Sequence, residues 1–149
     1  METREELEAL FASGRHGPDT FFERFVPGRS VSVGGVTAGG GRVAAMVYDY
    51  AAQRSTYGPA TALAPFDDEP MVPLIAATVD TLGLRGLFNL GYRHDEAGRF
   101  LVHDVNPRVW GSVAASLPFG NSFFASYAAL LQGRPDAVVA GYPAQPDAV

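Results

Sequence analysis

The sequence contains no cysteine. That excludes disulfides, a thiolate nucleophile and cysteine-type zinc sites, and it fits a reducing compartment. It also lacks any run approaching the roughly 20 consecutive apolar residues of a membrane-spanning helix. An N-terminus bearing Glu2, Glu5, Glu6 and Glu8 is too acidic for a secretory leader, so the expected location is the cytoplasm, with no membrane partner. Nor is there an excess of positive charge. Lys and Arg number 11 against 16 Asp and Glu, a net charge of -5, and the basic residues are scattered, which gives no footprint for nucleic acid. What is present is ordinary globular material. The 149 residues are 47% hydrophobic and 18% charged, enough to bury the core of one domain. The 17 glycines and 11 prolines punctuate apolar runs and read as turns between short elements.

Thr3 followed by Glu6 makes a capping box, and Leu7, Leu10 and Phe11 recur at helical spacing, so a short helix ending near Gly14 is expected. From Thr20 the texture changes. Runs at 21–26, 30–37 and 42–50 are aromatic or β-branched, separated by Pro27-Gly28 and Gly39-Gly40-Gly41, which predicts an antiparallel meander. Residues 51–66 show little periodicity and are expected to form a long loop without regular structure. The clearest helix follows. Asp67 suits its cap and Pro70 its first turn, while Met71, Leu74, Ile75, Thr78, Val79 and Leu82 draw one apolar stripe before Gly83. Strands at 85–94 and 99–106, joined by Asp95-Glu96-Ala97-Gly98, read as a hairpin. After a loop over 107–120, a last helix capped by Asn121 or Ser122 carries Phe123, Phe124, Tyr127, Leu130 and Leu131 and stops at Gly133. The expected class is α+β, an antiparallel sheet with helices packed on one face. One domain would cover 1–133, with a Pro/Ala-rich, poorly ordered tail over 134–149.

The chemistry concentrates at Asp104-Val105-Asn106-Pro107-Arg108, with Trp110-Gly111-Ser112 beyond. Side chains alternate along a strand, so Asp104 and Asn106 face the same way and offer a carboxylate and an amide oxygen to one hard cation such as magnesium. Pro107 ends the strand, and Arg108 stands where a phosphate or carboxylate held by the metal would lie. The plainer alternative, an Asp/Asn pair capping a turn, stays open on these residues alone.

This segment resembles the signature of the ATP-grasp superfamily, in which a Glu-x-Asn-Pro-Arg stretch closes the last strand of the nucleotide site. The likeness spans most of the chain. Residues 21–32 (FFERFVPGRSVS) are similar to the family's hinge strand, and 86–106 to its strand, hairpin and metal-bearing strand. Residues 110–121 resemble the substrate-side loop and closing helix of its carboxylate–amine ligase branches. The resemblance implies the C-terminal half of an ATP-grasp domain, with ATP and Mg²⁺, or Mn²⁺ in its place, as cofactors. A small-molecule carboxylate would be phosphorylated to an acyl phosphate and then attacked by an amine or other nucleophile. Asp104 and Asn106 take the metal-ligand positions, Arg108 the anion-facing position after them, and Arg54 that of a substrate-side arginine. Glu23, Arg24, Phe25 and Val26 would line the adenine, chiefly through the backbone of Glu23 and Val26 with Phe25 beside the ring. Ser30 stands where many members carry an acid for the ribose. The alternatives are a plain core strand for 21–26 and a solvated loop position for Arg54.

The family pattern breaks at Gly91, the place of a first acidic metal ligand. Symmetric pairing about the turn sets Gly91 opposite Asp104 and Asn89 opposite Asn106, so Asn89 would offer a weaker neutral oxygen. Arg93 replaces a residue usually apolar beneath the adenine. The family's central subdomain, with its lysines and glycine-rich loop over the triphosphate, has no counterpart before Phe21. The expectation is a truncated domain, or one completed by a separate chain, that does not ligate alone. A non-catalytic nucleotide- or partner-binding half-domain is the second reading, and an α+β domain with no nucleotide site is the third. Among the three histidines, His103 is expected to face opposite Asp104 as a packed or partly exposed residue, and His16 and His94 to sit in or beside turns. None suits a general base.

Overall fold

A computed structural model describes residues 3–53, 60–65, 71–119 and 122–138 of the chain. Its regular elements are α1 (Arg4–Ser13), β1 (Arg29–Gly39), β2 (Arg42–Gln53), β3 (Ala60–Pro65), α2 (Met71–Thr81), β4 (Gly86–His94), β5 (Phe100–Asn106) and α3 (Phe123–Leu131), with 3-10 turns at Val113–Phe119 and Pro135–Ala137. The strands form one antiparallel sheet in the order β3-β2-β1-β4-β5. This is the α+β antiparallel class expected.

Two sequence expectations are corrected here. Residues 21–26 form no strand, and Phe21 is 80% exposed. Strand propensity is realised only beside a partner, and β1, the next strand, already has β2 on one side and β4 on the other. Within 51–66, regular structure was not expected, yet β2 continues to Gln53 and β3 pairs with it along the sheet edge, Tyr50 facing Leu63 and Asp49 facing Ala64. An Ala-rich edge strand has little side-chain alternation to betray it, because backbone hydrogen bonds rather than a buried face hold it. Arg54 and the expected helix-start residues Asp67 and Pro70 lie outside the described residues, as does Asn121.

The sheet's two faces are filled differently. On one face Val31, Val33, Val43, Ala45, Phe88, Leu90 and Tyr92 pack beneath Met71, Ile75 and Val79 of α2, each large apolar side chain contributing about 1.5–3 kcal/mol of transfer free energy. Tyr92 donates its hydroxyl to Thr78 Oγ1 at 3.1 Å, so this buried phenol is satisfied. On the other face Val36, Ala38, Met46 and Leu87 lie beneath Trp110, Val113, Phe123 and Val138. The helices thus divide between the faces, α2 on one and α3 on the other, and do not pack on one face as expected, because Val36, Ala38, Met46 and Leu87 give the second face an apolar patch of its own. Ser122 caps α3 by accepting from Ala125 N at 3.2 Å. Only one side of α3 is used, and Phe124 and Leu131 are exposed. The start of the expected tail is packed: Pro135–Ala137 makes a 3-10 turn, Asp136 pairs with Arg42, and Val138 is 3% exposed.

The capping box of α1 forms as expected, Thr3 Oγ1 accepting from Glu6 N at 3.2 Å, and Gly14 closes the helix at φ 62°. No residue of α1 is buried. Phe11 instead meets the rings of His16 and Phe22 at 4.9 and 4.8 Å between centroids. Among the described residues no helix is long and apolar enough to cross a membrane.

Candidate nucleotide and metal site

Because side chains alternate, the α3-facing side of the strands also presents Ser30 and Ser32 of β1, Tyr48 and Tyr50 of β2, Asn89, Gly91 and Arg93 of β4, and Asp104 and Asn106 of β5. These form a polar half-face continuous with the apolar patch under α3. Trp110 marks the boundary. Its ring lies flat on Gly34, where a Cβ would stand 2.2 Å from the ring, so only glycine lets the indole approach the sheet. The hairpin register is the symmetric one: Gly91 faces Asp104 and Asn89 faces Asn106. Asp95 fixes the turn, its carboxylate accepting from Ala97 N at 3.0 Å and from Arg99 N and Nε at 2.9 Å. These bonds to the charged form hold the Asp95 carboxyl below the usual carboxylate range.

Asp104 and Asn106 project together. Asn106 Nδ2 donates to Asp104 Oδ2 at 2.6 Å, and Arg108 Nη2 donates to Asn106 Oδ1 at 2.9 Å. The guanidinium therefore covers the amide oxygen a cation would take, and a metal between the two side chains requires the Asn106 amide to turn over. Asn89 is held from the other side. Its Nδ2 donates to Ser32 Oγ at 3.0 Å, Val33 O at 3.1 Å and Tyr48 OH at 3.4 Å, which leaves its carbonyl oxygen facing away from β1. Tyr48 OH in turn shares a 3.0 Å bond with Ser112 Oγ, tying the Trp110-Gly111-Ser112 loop to the sheet. Burial raises the Tyr50 phenol, against a hydrogen bond with Ser32, so Tyr50 lines this floor as a neutral group.

Among the described residues no three His, Cys, Asp or Glu side chains cluster as a metal cage. One carboxylate with an amide oxygen suits a magnesium that arrives with phosphates, the usual mode for that ion. It does not suit a cation held by protein groups alone.

His103 departs from the sequence expectation. The pairing steps from Gly91 with Asp104 to Tyr92 with Val102, so His103 is the extra residue of a β-bulge. A bulge breaks the two-residue period, and the imidazole comes round to the side of Asp104. A Cβ on Gly91 would stand 3.0 Å from His103 Nε2 and 3.1 Å from Asp104 Cβ. Burial, then the charge of Arg93, lowers the imidazole pKa, against the opposing charges of Asp104 and Glu23.

Arg93 is tied to the entry segment. Its Nη1 donates to Ser30 Oγ at 2.7 Å and to Gly28 O at 3.4 Å, and its Cζ lies 5.5 Å from the Phe25 ring centroid. Phe25 thus overhangs the polar half-face, with Val26 half-buried beside it and Glu23 and Arg24 exposed. The structure therefore brings Phe25, Ser30, Asn89, Asp104, Asn106 and Arg108 to one side of the sheet, and it adds Tyr48, Arg93 and His103. Arg54 lies outside the described residues.

No family model matches the sequence, and no curated protein matches it. Solved structures do. The phosphoribosylaminoimidazole carboxylase ATPase subunit from Aquifex aeolicus is 18% identical at TM-score 0.62, over 87% of this chain and 46% of that one. L-amino acid ligase from Bacillus licheniformis is 18% identical at TM-score 0.61, over 93% of this chain and 36% of that one. The chain has the fold of part of an ATP-grasp enzyme. N5-carboxyaminoimidazole synthetase from Staphylococcus aureus, solved complexed with ADP, is 13% identical at TM-score 0.57 over 75% of this chain and 32% of that one. This chain thus spans less than half the length of each of these three structures.

Proposed function

We propose that this chain is the ATP- and magnesium-holding C-terminal half of an ATP-grasp ligase, working on a small-molecule carboxylate in the cytoplasm. Further chain, covalently attached or separate, would complete the site. The observation that supports it best is the joint projection of Asp104 and Asn106, 2.6 Å apart, from the half-face overhung by Phe25, on a fold shared with an ADP-bound synthetase.

In this reading the backbone of Glu23 and Val26 meets the adenine edge, with Arg24 and Phe25 beside the base and Ser30 near the ribose. Asp104 and Asn106 hold magnesium, with Mn²⁺ as an alternative and Asn89 contributing its carbonyl oxygen. Magnesium bound there neutralises and orients the phosphates. Arg108, released when the Asn106 amide turns, faces the transferring phosphoryl or acyl phosphate, and Arg54 lies on the substrate side. All 11 basic residues are arginine, so the lysines that ATP-grasp enzymes place on the triphosphate come from outside this sequence, and the chain alone does not ligate.

Gly91 favours a second reading, a non-catalytic nucleotide- or partner-binding half-domain, because a glycine there removes a carboxylate from the metal site. Titration calorimetry of ATP with and without Mg²⁺ separates the two. Binding strengthened about tenfold or more by Mg²⁺, and not strengthened in Asp104→Asn, supports the first. Metal-independent binding supports the second, and no binding in either condition rejects both.

A further inference from the structure

We propose that His103 and Asp104 together form a nitrogen–oxygen chelate that turns this metal position toward a first-row divalent transition cation, Mn²⁺ or Co²⁺, over Mg²⁺. The inference rests on the reading of this half-face as a metal-dependent nucleotide site.

Three observations converge on it. First, Gly91 leaves its strand position opposite Asp104 without a side chain. Second, the bulge at His103 brings an imidazole into that volume, with Nε2 3.0 Å and the Asp104 Cβ 3.1 Å from the point where a Gly91 Cβ would stand, both closer than an ordinary contact. Any residue larger than glycine at 91 would push against the ring, so the glycine and the bulged histidine are complementary. Third, the alternative oxygen pair is not preset: Asn106 points its amide nitrogen at Asp104 and gives its oxygen to Arg108. His103 takes no part in that chain of bonds through Asp104, Asn106 and Arg108.

Chemistry then sets the preference. Magnesium takes oxygen ligands almost exclusively and demands near-ideal octahedral geometry. An imidazole with a carboxylate suits the later first-row ions, whose affinity for nitrogen donors rises along the series. A histidine that merely filled the gap over Gly91 would do so as well with a phenyl ring in its place, and this separates packing from ligation.

The experiment uses the full chain and two variants, His103→Phe, which keeps the bulk, and His103→Gln, which keeps a polar side chain if the phenyl variant fails to fold. Proton NMR of the three histidines is followed as substoichiometric Mn²⁺ is added, and Mn²⁺, Co²⁺ and Mg²⁺ affinities are measured by calorimetry with and without ATP. The chelate predicts that Mn²⁺ broadens the His103 ring signals before those of His16 and His94. It also predicts that losing the imidazole weakens Mn²⁺ and Co²⁺ by at least the roughly tenfold that loss of an outer-shell partner costs, while Mg²⁺ changes by no more than about twofold. Equal Mn²⁺ affinity in the wild type and variants, or a parallel fall in Mg²⁺, overturns it. If ATP binding still depends on Mg²⁺ and Asp104 when His103 proves irrelevant, this inference alone falls. If neither ATP nor any divalent ion binds, it falls together with the nucleotide reading.

Discussion

The two faces of this sheet are made by the same strands, residue by alternate residue, and differ in what they are built to do. Toward α2 the positions on β1, β2 and β4 are Val31, Val33, Val43, Ala45, Phe88, Leu90 and Tyr92, a dry layer in which a tyrosine hydroxyl is paired internally. Toward α3 only the part under Trp110 and Phe123 is comparable. The rest carries Ser30, Ser32, Asn89, Arg93, Asp104 and Asn106. Half a sheet face of polar groups contributes little hydrophobic stabilisation, and α2 on the opposite side provides that stability without covering the polar groups. The contrast separates the packed core from the proposed site along single strands, so each can be altered by substitutions that leave the other in place.

Substitutions test that separation. The largest effect is expected from Phe88→Ala on the α2 face, where a fully buried ring is removed. A loss of about 3–5 kcal/mol in urea denaturation is expected, and a loss below about 1 kcal/mol would mean the layer is less tightly packed than described. Next is Gly34→Ala at the boundary, where the new methyl meets the Trp110 ring. Overpacking of roughly 1–3 kcal/mol is expected, accompanied by a changed emission maximum, since Trp110 is the only tryptophan. Asp104→Asn on the polar half-face should leave stability within about 0.5 kcal/mol while removing metal-dependent nucleotide binding. A clear destabilisation instead would make Asp104 a structural residue.

Proton binding gives two smaller effects. Arg93→Ala should raise the His103 midpoint in an NMR titration without restoring it to the ordinary histidine value, because burial is the larger cause of its lowering. Complete restoration would reverse that ranking. In the hairpin turn, the Asp95 carboxyl lies below its unfolded value. Its contribution is therefore complete above the unfolded carboxylate value and is lost as the pH falls through the folded one. Amide exchange at Ala97 and Arg99 should quicken first in acid, and Asp95→Asn should reproduce that at neutral pH.

Much of this arrangement is legible in the sequence. The stripe Met71, Ile75, Val79 shows α2, the capping box shows α1, and Asp95 with Gly98 fixes a turn from which symmetric pairing places Gly91 opposite Asp104. The like-facing of Asp104 and Asn106 follows from the two-residue period. What escapes that period also escapes the sequence. The bulge at His103 is set by how β5 accommodates its neighbour, and no local signal announces it. β3 is held by backbone bonds to β2, so its side chains carry no alternation to read. Residues 21–26 have the composition of a strand, but composition does not supply a neighbouring edge to pair with. The engagement of Arg93 with Ser30 and Phe25 joins residues far apart in the chain and becomes visible only once the strands are assembled.

Amide chemical-shift mapping of the full chain titrated with ATP and Mg²⁺ decides whether the polar half-face, and not the α2 face, receives a metal–nucleotide complex as proposed. Shifts are expected to cluster at residues 23–30, 89–93 and 103–108 and to leave Met71, Ile75 and Val79 unmoved. Shifts centred on α2, or none at saturating nucleotide, would contradict that proposal.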